Sequence, residues 1–261
     1  MPIDKKIIDV TDGAAIPRKK DAGLFSAWRI SFVGALIILG SLVFFQPDPY
    51  LKIVKFLPDG ILITFEVTFF SIVFAVFLGL ITGLGRISKN ALINAVASTY
   101  VEVVRGIPLL VQLFYIYYAL GRFVRLPDMV AAIIAMSLCY GAYMGEVFRA
   151  GIESIDKGQM EAARSLGFNR TQTMFYVILP QAWRTILPPV GNEFIALLKD
   201  TSLVSILAVA DMLRRGREFA SETFTYFETY TVIALVYLLI TLLLSKLVSL
   251  MEEKLNYYDR S

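Results

Sequence analysis

The chain has 261 residues, of which 57% are hydrophobic and 18% are charged, whereas about a quarter of the residues in a typical soluble domain are charged. Its mean hydropathy is +0.65, and the apolar residues occur in long blocks, which is the pattern of a polytopic membrane protein. Lys and Arg number 25 against 22 for Asp and Glu, and the formal net charge of +3 is too small to indicate a nucleic-acid partner.

Residues that the sequence lacks exclude several kinds of chemistry. Histidine is absent, which removes the commonest general base and the commonest metal ligand. The single cysteine, Cys139, lies in an apolar run and can form neither a disulfide within the chain nor a CxxC metal site. The sequence contains no GxxxxGKS or GxxxxGKT phosphate loop, so the chain is not expected to bind ATP in the usual way. We therefore expect neither an enzyme nor a cofactor-binding protein.

The first segment, residues 1–29, is polar and rich in Lys and Arg. Such a basic tail before an apolar run is expected to stay in the cytoplasm, and it lacks the small-residue cleavage site of a signal peptide. The apolar run Ile30–Phe45 is predicted to be the first transmembrane helix. Tyr50–Leu57 is then predicted to lie on the outer membrane surface. Residues 30–56 therefore supply one membrane helix and an outer loop.

Three further apolar segments are predicted to span the membrane. Gly60–Leu84 is the second span, and the basic turn that follows it is placed inside. Ala91–Leu120 is the third, interrupted at Pro108, which removes a backbone hydrogen bond and clashes with the preceding turn. Such a break is tolerated at membrane depth where protein or a cavity covers it. Met129–Phe148 is the fourth span.

Two pairs of opposite charge accompany these spans. Glu102 and Arg105 are three residues apart and can pair on one face of a helix. Glu146 and Arg149 have the same spacing at the inner end of the fourth span. Two interpretations of Glu146 stay open, namely a mutually satisfied pair at the inner headgroup level and a contact with substrate.

A long polar interval follows the fourth span. Its composition predicts a short helix over Lys157–Leu166, with Gly167 in the left-handed conformation that ends a helix. A second helix is predicted to end or kink at Pro180. Arg164 and its basic neighbours place this interval on the cytoplasmic side.

The fifth span is predicted to start at Pro188-Pro189 and to run to about Val209. Glu193 and Asp200 are seven residues apart, hence about 20° apart around a helix and roughly 10 Å along it. Acidic and small groups on one stripe at membrane depth indicate the wall of a wet path, although a polar network that only joins helices is the alternative. The predicted path residues are Glu193, Asp200, Glu146, Lys199 and Asn192.

The last part of the chain completes the predicted topology. Asp211–Glu228 is polar and falls outside, although its three arginines run against the positive-inside rule. It is either a face for an external binding protein or a plain interfacial helix. Tyr230–Leu250 is the sixth span, and both termini are then cytoplasmic.

Three motifs resemble those of ABC importer permeases. Glu161-Ala162-Ala163, Gly167 and Leu179-Pro180 have the spacing of the family's EAA loop, with Val177 where Ile is usual. Val101–Gln112 is similar to the E-x-x-R-G-x-P-L-L-x-Q run of the polar amino acid uptake branch. The string beginning at Lys199 resembles that branch's K-D-T-S-L.

The resemblance implies an all-α, MetI-like permease fold with a domain at residues 57–257 and a coupling loop at 150–180. Residues 30–56 are then an addition to the branch's usual five-helix core. The implied protein is a permease subunit of an ATP-driven importer for polar amino acids in the bacterial inner membrane. Its implied partners are ATP-binding cassette subunits, a second identical or homologous permease subunit, and a periplasmic or lipoprotein substrate-binding protein.

By this resemblance, one group of residues couples the permease to the ATPase: Lys157, Gly158, Met160, Glu161, Ala162, Ala163, Leu166 and Gly167. The alternative function is an ATP-independent secondary carrier or a channel for small polar solutes. Such a carrier usually contains inverted repeats with paired broken helices, and the sequence shows no convincing repeat.

Overall fold

The computed structural model describes residues 26–257, with side chains for residues 26–255. Residues 1–25 of the predicted basic tail therefore lie outside the described residues. All regular elements in the described part are helical. In chain order the helices are α1 (Ala27–Phe45), α2 (Pro47–Phe56), α3 (Pro58–Arg86), α4 (Ala91–Gly106), α5 (Leu109–Phe114), α6 (Asp128–Glu153), α7 (Lys157–Ser165), α8 (Arg170–Thr173), α9 (Leu179–Asp200), α10 (Met212–Thr223) and α11 (Tyr226–Tyr257).

Short tighter or wider helical turns extend several of these elements. A π-helical turn, Tyr115–Ala119, and a 3₁₀ turn, Leu120–Arg122, continue α5. The π-helical turn Met174–Ile178 joins α8 to α9, and the 3₁₀ segment Thr201–Leu207 follows α9.

Among the described helices, four are long and apolar enough to cross a membrane: α1, the segment formed by α2 and α3, α6 and α11. A fifth span is obtained if α4 and the segment Leu109–Arg122 count as one span, bent by 102°. The helix predicted as the fifth span, α9, is not among them, because Arg184, Glu193, Lys199 and Asp200 reduce its hydropathy. The predicted count of six therefore holds only if this polar helix also crosses the membrane.

The fold is centred on α6. In its most apolar stretch 61% of the residues are buried, against 6% in α1 and 11% in α11. The main core lies between α6 and its neighbours α3, α5 and α9, and includes Met136, Met144, Phe148, Ile186 and Leu197. A second, smaller core joins α2, α10 and α11.

A seam of glycines lets α3 and α6 pack closely side by side. Gly79 faces Met144, and Gly83, one turn later, faces Phe148, so the two helices run parallel. A Cβ atom built on Gly79 would lie 2.2 Å from Met144 Cβ, and one on Gly145 would lie 2.4 Å from Thr82 Oγ1. Small residues four apart are typical of helices whose backbones approach closely inside membranes.

The two ends of the bundle differ in character. At one end, hereafter the α7 end, α3 and α6 finish close together and α7 follows. At the other, the α10 end, the first turn of α3 packs against α10, where Gly60 meets Met212. α1 runs alongside α11, and at the start of α1 Trp28 Nε1 donates a hydrogen bond to Leu242 O, near the middle of α11, at 2.7 Å.

The structure corrects the predicted start of the fifth span. Pro188 and Pro189 lie inside α9 instead of beginning it. The α-helix ends at Asp200, and the 3₁₀ segment Thr201–Leu207 continues the helical chain nearly to the predicted end at Val209. Packing against α6 and α11 on either side outweighs the two missing backbone donors. Pro180 does not end the helical run, which continues from α8 into α9, but the run changes to a π-helical turn, Met174–Ile178, directly before the proline. Such a local adjustment accommodates a missing backbone donor.

Candidate functional site

The first candidate surface is α7, whose ends are defined by local hydrogen bonds. Asp156 caps its start, since Oδ1 accepts from Gly158 N at 2.6 Å. Its end is a paired turn in which Phe168 N donates to Ala163 O and Gly167 N donates to Arg164 O. Gly167 has φ of +90°, a conformation that only glycine adopts readily. The predicted helix and its terminating glycine are therefore both present.

The predicted coupling residues divide into two groups. Ala163 is only 4% exposed, because α7 packs on the π-helical turn that precedes α9. Its role in this conformation is to hold α7 in place. The other members are exposed, and Leu166 is 80% exposed: Lys157, Gly158, Met160, Glu161, Ala162, Leu166 and Gly167. An apolar side chain this exposed at the end of a polar helix is typical of a contact surface.

The second candidate region is the interior side of α9. Glu193 and Asp200 are both half-buried there, and Leu197 between them is fully buried. Tyr140 of α6 donates a hydrogen bond to Asp200 Oδ2 at 2.7 Å, which ties the two helices together. Asn192 and Lys199 are exposed on the other side of α9 and do not lie with the acidic pair. The structure therefore brings together only two of the four predicted α9 residues.

Glu146 is held by arginines from two helices. It pairs with Arg86 at the end of α3 and with Arg149 on its own helix, and Arg149 also pairs with Glu153. This ion chain closes the α7 end of the seam between α3 and α6. The geometry matches the first interpretation of Glu146, a mutually satisfied pair, with the additional arginine from α3 that sequence spacing could not indicate.

A glutamine stabilises the sharp bend between α4 and α5. Gln112 Nε2 donates to Val104 O at 2.7 Å and to Ile107 O at 2.8 Å, so it satisfies carbonyls that the broken helix leaves without partners. The same nitrogen lies 3.8 Å from the sulfur of Cys139. Gln112 belongs to the sequence motif, but its role depends on the 102° bend, which the motif does not reveal.

The side chain of Arg105 does not pair with Glu102, its predicted partner. Its guanidinium carbon lies 5.2 Å from the ring centroid of Tyr143, and within the described residues no ion pair joins it to Glu102. Arg105 interacts electrostatically with Glu193 of α9. No group of His, Cys, Asp and Glu among the described residues could hold a metal ion.

These features define a polytopic, all-helical membrane protein with a broken helix, a polar interior and an exposed capped helix at one end. Residues 75–257 match the family described as "Binding-protein-dependent transport system inner membrane component". The chain belongs to this family of inner membrane components.

Relatives with assigned names agree with this membership. The L-cystine transport system permease protein TcyB of Bacillus subtilis (strain 168) is 43% identical over 204 residues, which is 77% of this chain and 87% of that protein. The glutamine transport system permease protein GlnP of Escherichia coli (strain K12) is 36% identical over 206 residues, covering 78% of this chain and 94% of that protein.

Solved structures share the fold. An amino acid ABC transporter solved with histidines matches with a TM-score of 0.75 and 43% identity, over 78% of this chain and 96% of that one. The inward-facing MetNI methionine ABC transporter matches with a TM-score of 0.64 and 19% identity, over 77% of this chain and 98% of that one. The second match supports the MetI-like permease fold alone.

Proposed function

We propose that this chain is the membrane-spanning permease subunit of an ATP-driven ABC importer for polar amino acids. The observation that carries the proposal is α7, a capped nine-residue helix with the EAA residues at one end of the bundle. Family membership supports the importer class, and the relatives named for glutamine and cystine support an amino acid substrate. ATP is hydrolysed by separate subunits, and this chain makes and breaks no covalent bond.

The exposed side of α7 is the proposed docking surface for an ATP-binding cassette subunit. Leu166 and Met160 offer apolar contacts, and Glu161 offers a charge beside them. Ala163 packs α7 against the rest of the bundle. A displacement of α7 is therefore transmitted by packing to α9, and from α9 to α6.

The half-buried side of α9 is the proposed wall of the translocation path. Glu193 and Asp200 face a region that also contains Tyr140 and Arg105, and such polar groups at membrane depth are costly unless they face protein or water. Asn192 and Lys199 are exposed in the single chain. Exposure of these two polar side chains to lipid would be energetically unfavourable. This supports a second permease subunit, identical or homologous, on that side of α9.

The proposed orientation places the α7 end and both termini in the cytoplasm of a bacterial cell and the α10 end outside. The arginines of α10, which run against the positive-inside rule, are largely neutralised. Arg215 pairs with Asp59 at 3.2 Å, and Arg214 pairs with Glu218 at 2.9 Å. The exposed remainder of this end is the proposed landing surface for a periplasmic or lipoprotein substrate-binding protein.

The proposal is tested by co-purification and uptake. The chain is expressed with its neighbouring genes, extracted in detergent and checked for a bound ATPase subunit. Uptake of L-glutamine and L-cystine is then measured in vesicles. Charge reversal at Glu161 is expected to reduce uptake and ATPase recovery, whereas the same reversal at Glu222, exposed on α10, leaves ATPase recovery intact. Recovery of no ATPase with the unaltered chain, and uptake driven by an ion gradient instead, would establish the secondary carrier.

A further inference from the structure

A polar cavity of about 430 Å³ lies between α3, α4 and α6, apart from the acidic residues of α9. Its volume is within the range of about 300–1,000 Å³ typical of small-molecule sites. Its lining includes two residues of each charge, namely Arg86, Arg105, Glu102 and Glu146, together with Tyr143. The break that follows Gly106 forms part of its edge.

Two of these four charges are already neutralised. Arg86 and Glu146 pair with each other, and Glu146 also pairs with Arg149 outside the lining. Among residues 26–255, Glu102 and Arg105 take part in no ion pair, although both are exposed and line the cavity. The cavity therefore presents a carboxylate and a guanidinium, one helical turn apart, neither of which takes part in an ion pair within residues 26–255.

Arg105 is oriented toward the cavity instead of toward Glu102. Its guanidinium lies over the Tyr143 ring, a contact that holds a cation in place without neutralising its charge. A guanidinium is the side chain best suited to bind a carboxylate through two parallel hydrogen bonds.

We propose that this cavity binds the zwitterionic backbone of an α-amino acid, with Arg105 on the carboxylate and Glu102 on the ammonium group. The inference rests on the proposed function and adds a recognition site to it. A ligand with only one of the two charges would leave either Glu102 or Arg105 without a partner in the cavity, and would therefore lack one of the two charge-assisted hydrogen bonds. The site therefore selects for the backbone shared by amino acids, and the side chain of the substrate is left to other contacts.

The test measures binding to the purified permease–ATPase complex in detergent, without the substrate-binding protein. The probes are L-glutamine and L-cystine, their fully N-acetylated forms (N,N′-diacetyl for cystine), which have no ammonium group, and their full α-methyl esters (the dimethyl ester for cystine), which have no carboxylate. Apparent affinity is obtained from the rise in melting temperature with probe concentration. The wild-type complex is expected to bind at least one free amino acid about tenfold or more tightly than either of its blocked derivatives.

Each variant is expected to lose one kind of discrimination. Arg105→Gln should bind the free amino acid and its methyl ester equally, yet still reject the N-acetyl derivative. Glu102→Gln should show the reverse pattern. Arg122→Gln, which changes an exposed arginine outside the cavity, should behave as wild type. A role of Arg105 and Glu102 in folding alone would lower binding of all probes together and leave the discrimination unchanged.

Three results would overturn the inference: no binding of either amino acid to the wild-type complex, equal binding of free and blocked probes, or unchanged discrimination in both variants. If the complete transporter still takes up amino acids under ATP, the proposed function stands without this site. If the complete transporter shows no ATP-driven uptake of amino acids, the proposed function itself fails.

Discussion

The glycine seam between α3 and α6 gives a quantitative prediction for Gly79→Ala. The new Cβ would lie 2.2 Å from Met144 Cβ and 2.8 Å from the Met144 carbonyl carbon, whereas carbon atoms in contact lie about 3.5–4.0 Å apart. The two helices must therefore separate by about 1.5 Å or distort, because the obstacle includes backbone. Overpacking lowers the free energy of unfolding by about 1–3 kcal/mol, and replacing a glycine inside a helix by alanine raises it by about 0.5–1 kcal/mol. We expect a net loss near 1–2 kcal/mol.

The matched control is Gly34→Ala in α1, where the new Cβ meets no atom within 4 Å. That variant is expected to gain up to about 1 kcal/mol from helix propensity. The two variants should then differ by about 1–3 kcal/mol, or at least about 2 °C in melting temperature for a chain of this size. Thermal unfolding in detergent measures the difference. Equal melting temperatures would show that α3 and α6 do not pack through this seam.

Three further predictions concern single side chains. Gly167→Ala forces an L residue to φ of +90°, which costs about 1–2 kcal/mol of free energy. Recovery of the ATPase subunit should therefore fall by about five- to thirtyfold. The control Gly121→Ala, at a position with open space and an ordinary φ, should leave recovery unchanged. Gln112→Leu leaves two carbonyls at the α4–α5 bend without a hydrogen-bond donor and should lower the free energy of unfolding by about 1–3 kcal/mol. The control Gln181→Leu removes a solvent-exposed hydrogen bond and should change the melting temperature little. Burial raises the pKa of the Asp211 carboxyl from its usual range to about 6, so the native carboxyl holds a proton at pH values where the unfolded one has lost it. The free energy of unfolding should therefore fall as pH rises from about 4 to about 6. Asp211→Asn, which can still cap α10, should remove that part of the pH dependence. If the melting temperatures of wild type and Asp211→Asn differed by the same amount at pH 4.5 and at pH 7.5, this reasoning would be contradicted.

Features set by local interactions could be predicted from the sequence. The helix predicted over Lys157–Leu166 is observed over Lys157–Ser165, and Gly167 terminates it as expected. Both ends depend on a cap within a few residues of the helix, so the signal and its cause lie in the same short stretch. The break at Pro108 was predictable for the same reason, since the missing donor belongs to the proline itself.

Features set by packing between distant segments could not be predicted. The propensity of proline for the first turn predicts that a helix starts at Pro188-Pro189. Both prolines nevertheless lie inside α9, because packing against α6 and α11 stabilises the helix around them. The spacing of Glu102 and Arg105 indicates a pair, but Tyr143, on another helix, holds the guanidinium elsewhere. A glycine spacing such as that of Gly79 does not identify the helix it will face. In each case the deciding partner is far away in the chain.

The bundle connects the two proposed working regions through two helices, α6 and α9, and α7 packs on the π-helical turn that precedes α9. Tyr140 of α6 contacts Asp200 in the proposed path, and Arg149 near the end of α6 joins the ion chain at the α7 end. α6 ends at Glu153, and Asp156 begins the cap of α7. In the proposed function, a displacement of α7 by the ATPase reaches the path through this short, non-helical junction as well as through the turn before α9.

Three glycines inserted between Ser154 and Ile155 would convert that junction into a flexible linker. Ile155 is partly buried against the main core, so a modest fall in melting temperature is expected, but the ATPase subunit should still bind α7. ATP hydrolysis should then continue while uptake falls, because α7 can move without displacing α6. The same insertion between Val124 and Arg125, in the exposed turn before α6, lengthens a loop away from the junction and should preserve uptake. Full uptake with the first insertion would mean that force reaches the path through α9 instead, since α7 also packs on the π-helical turn at its start.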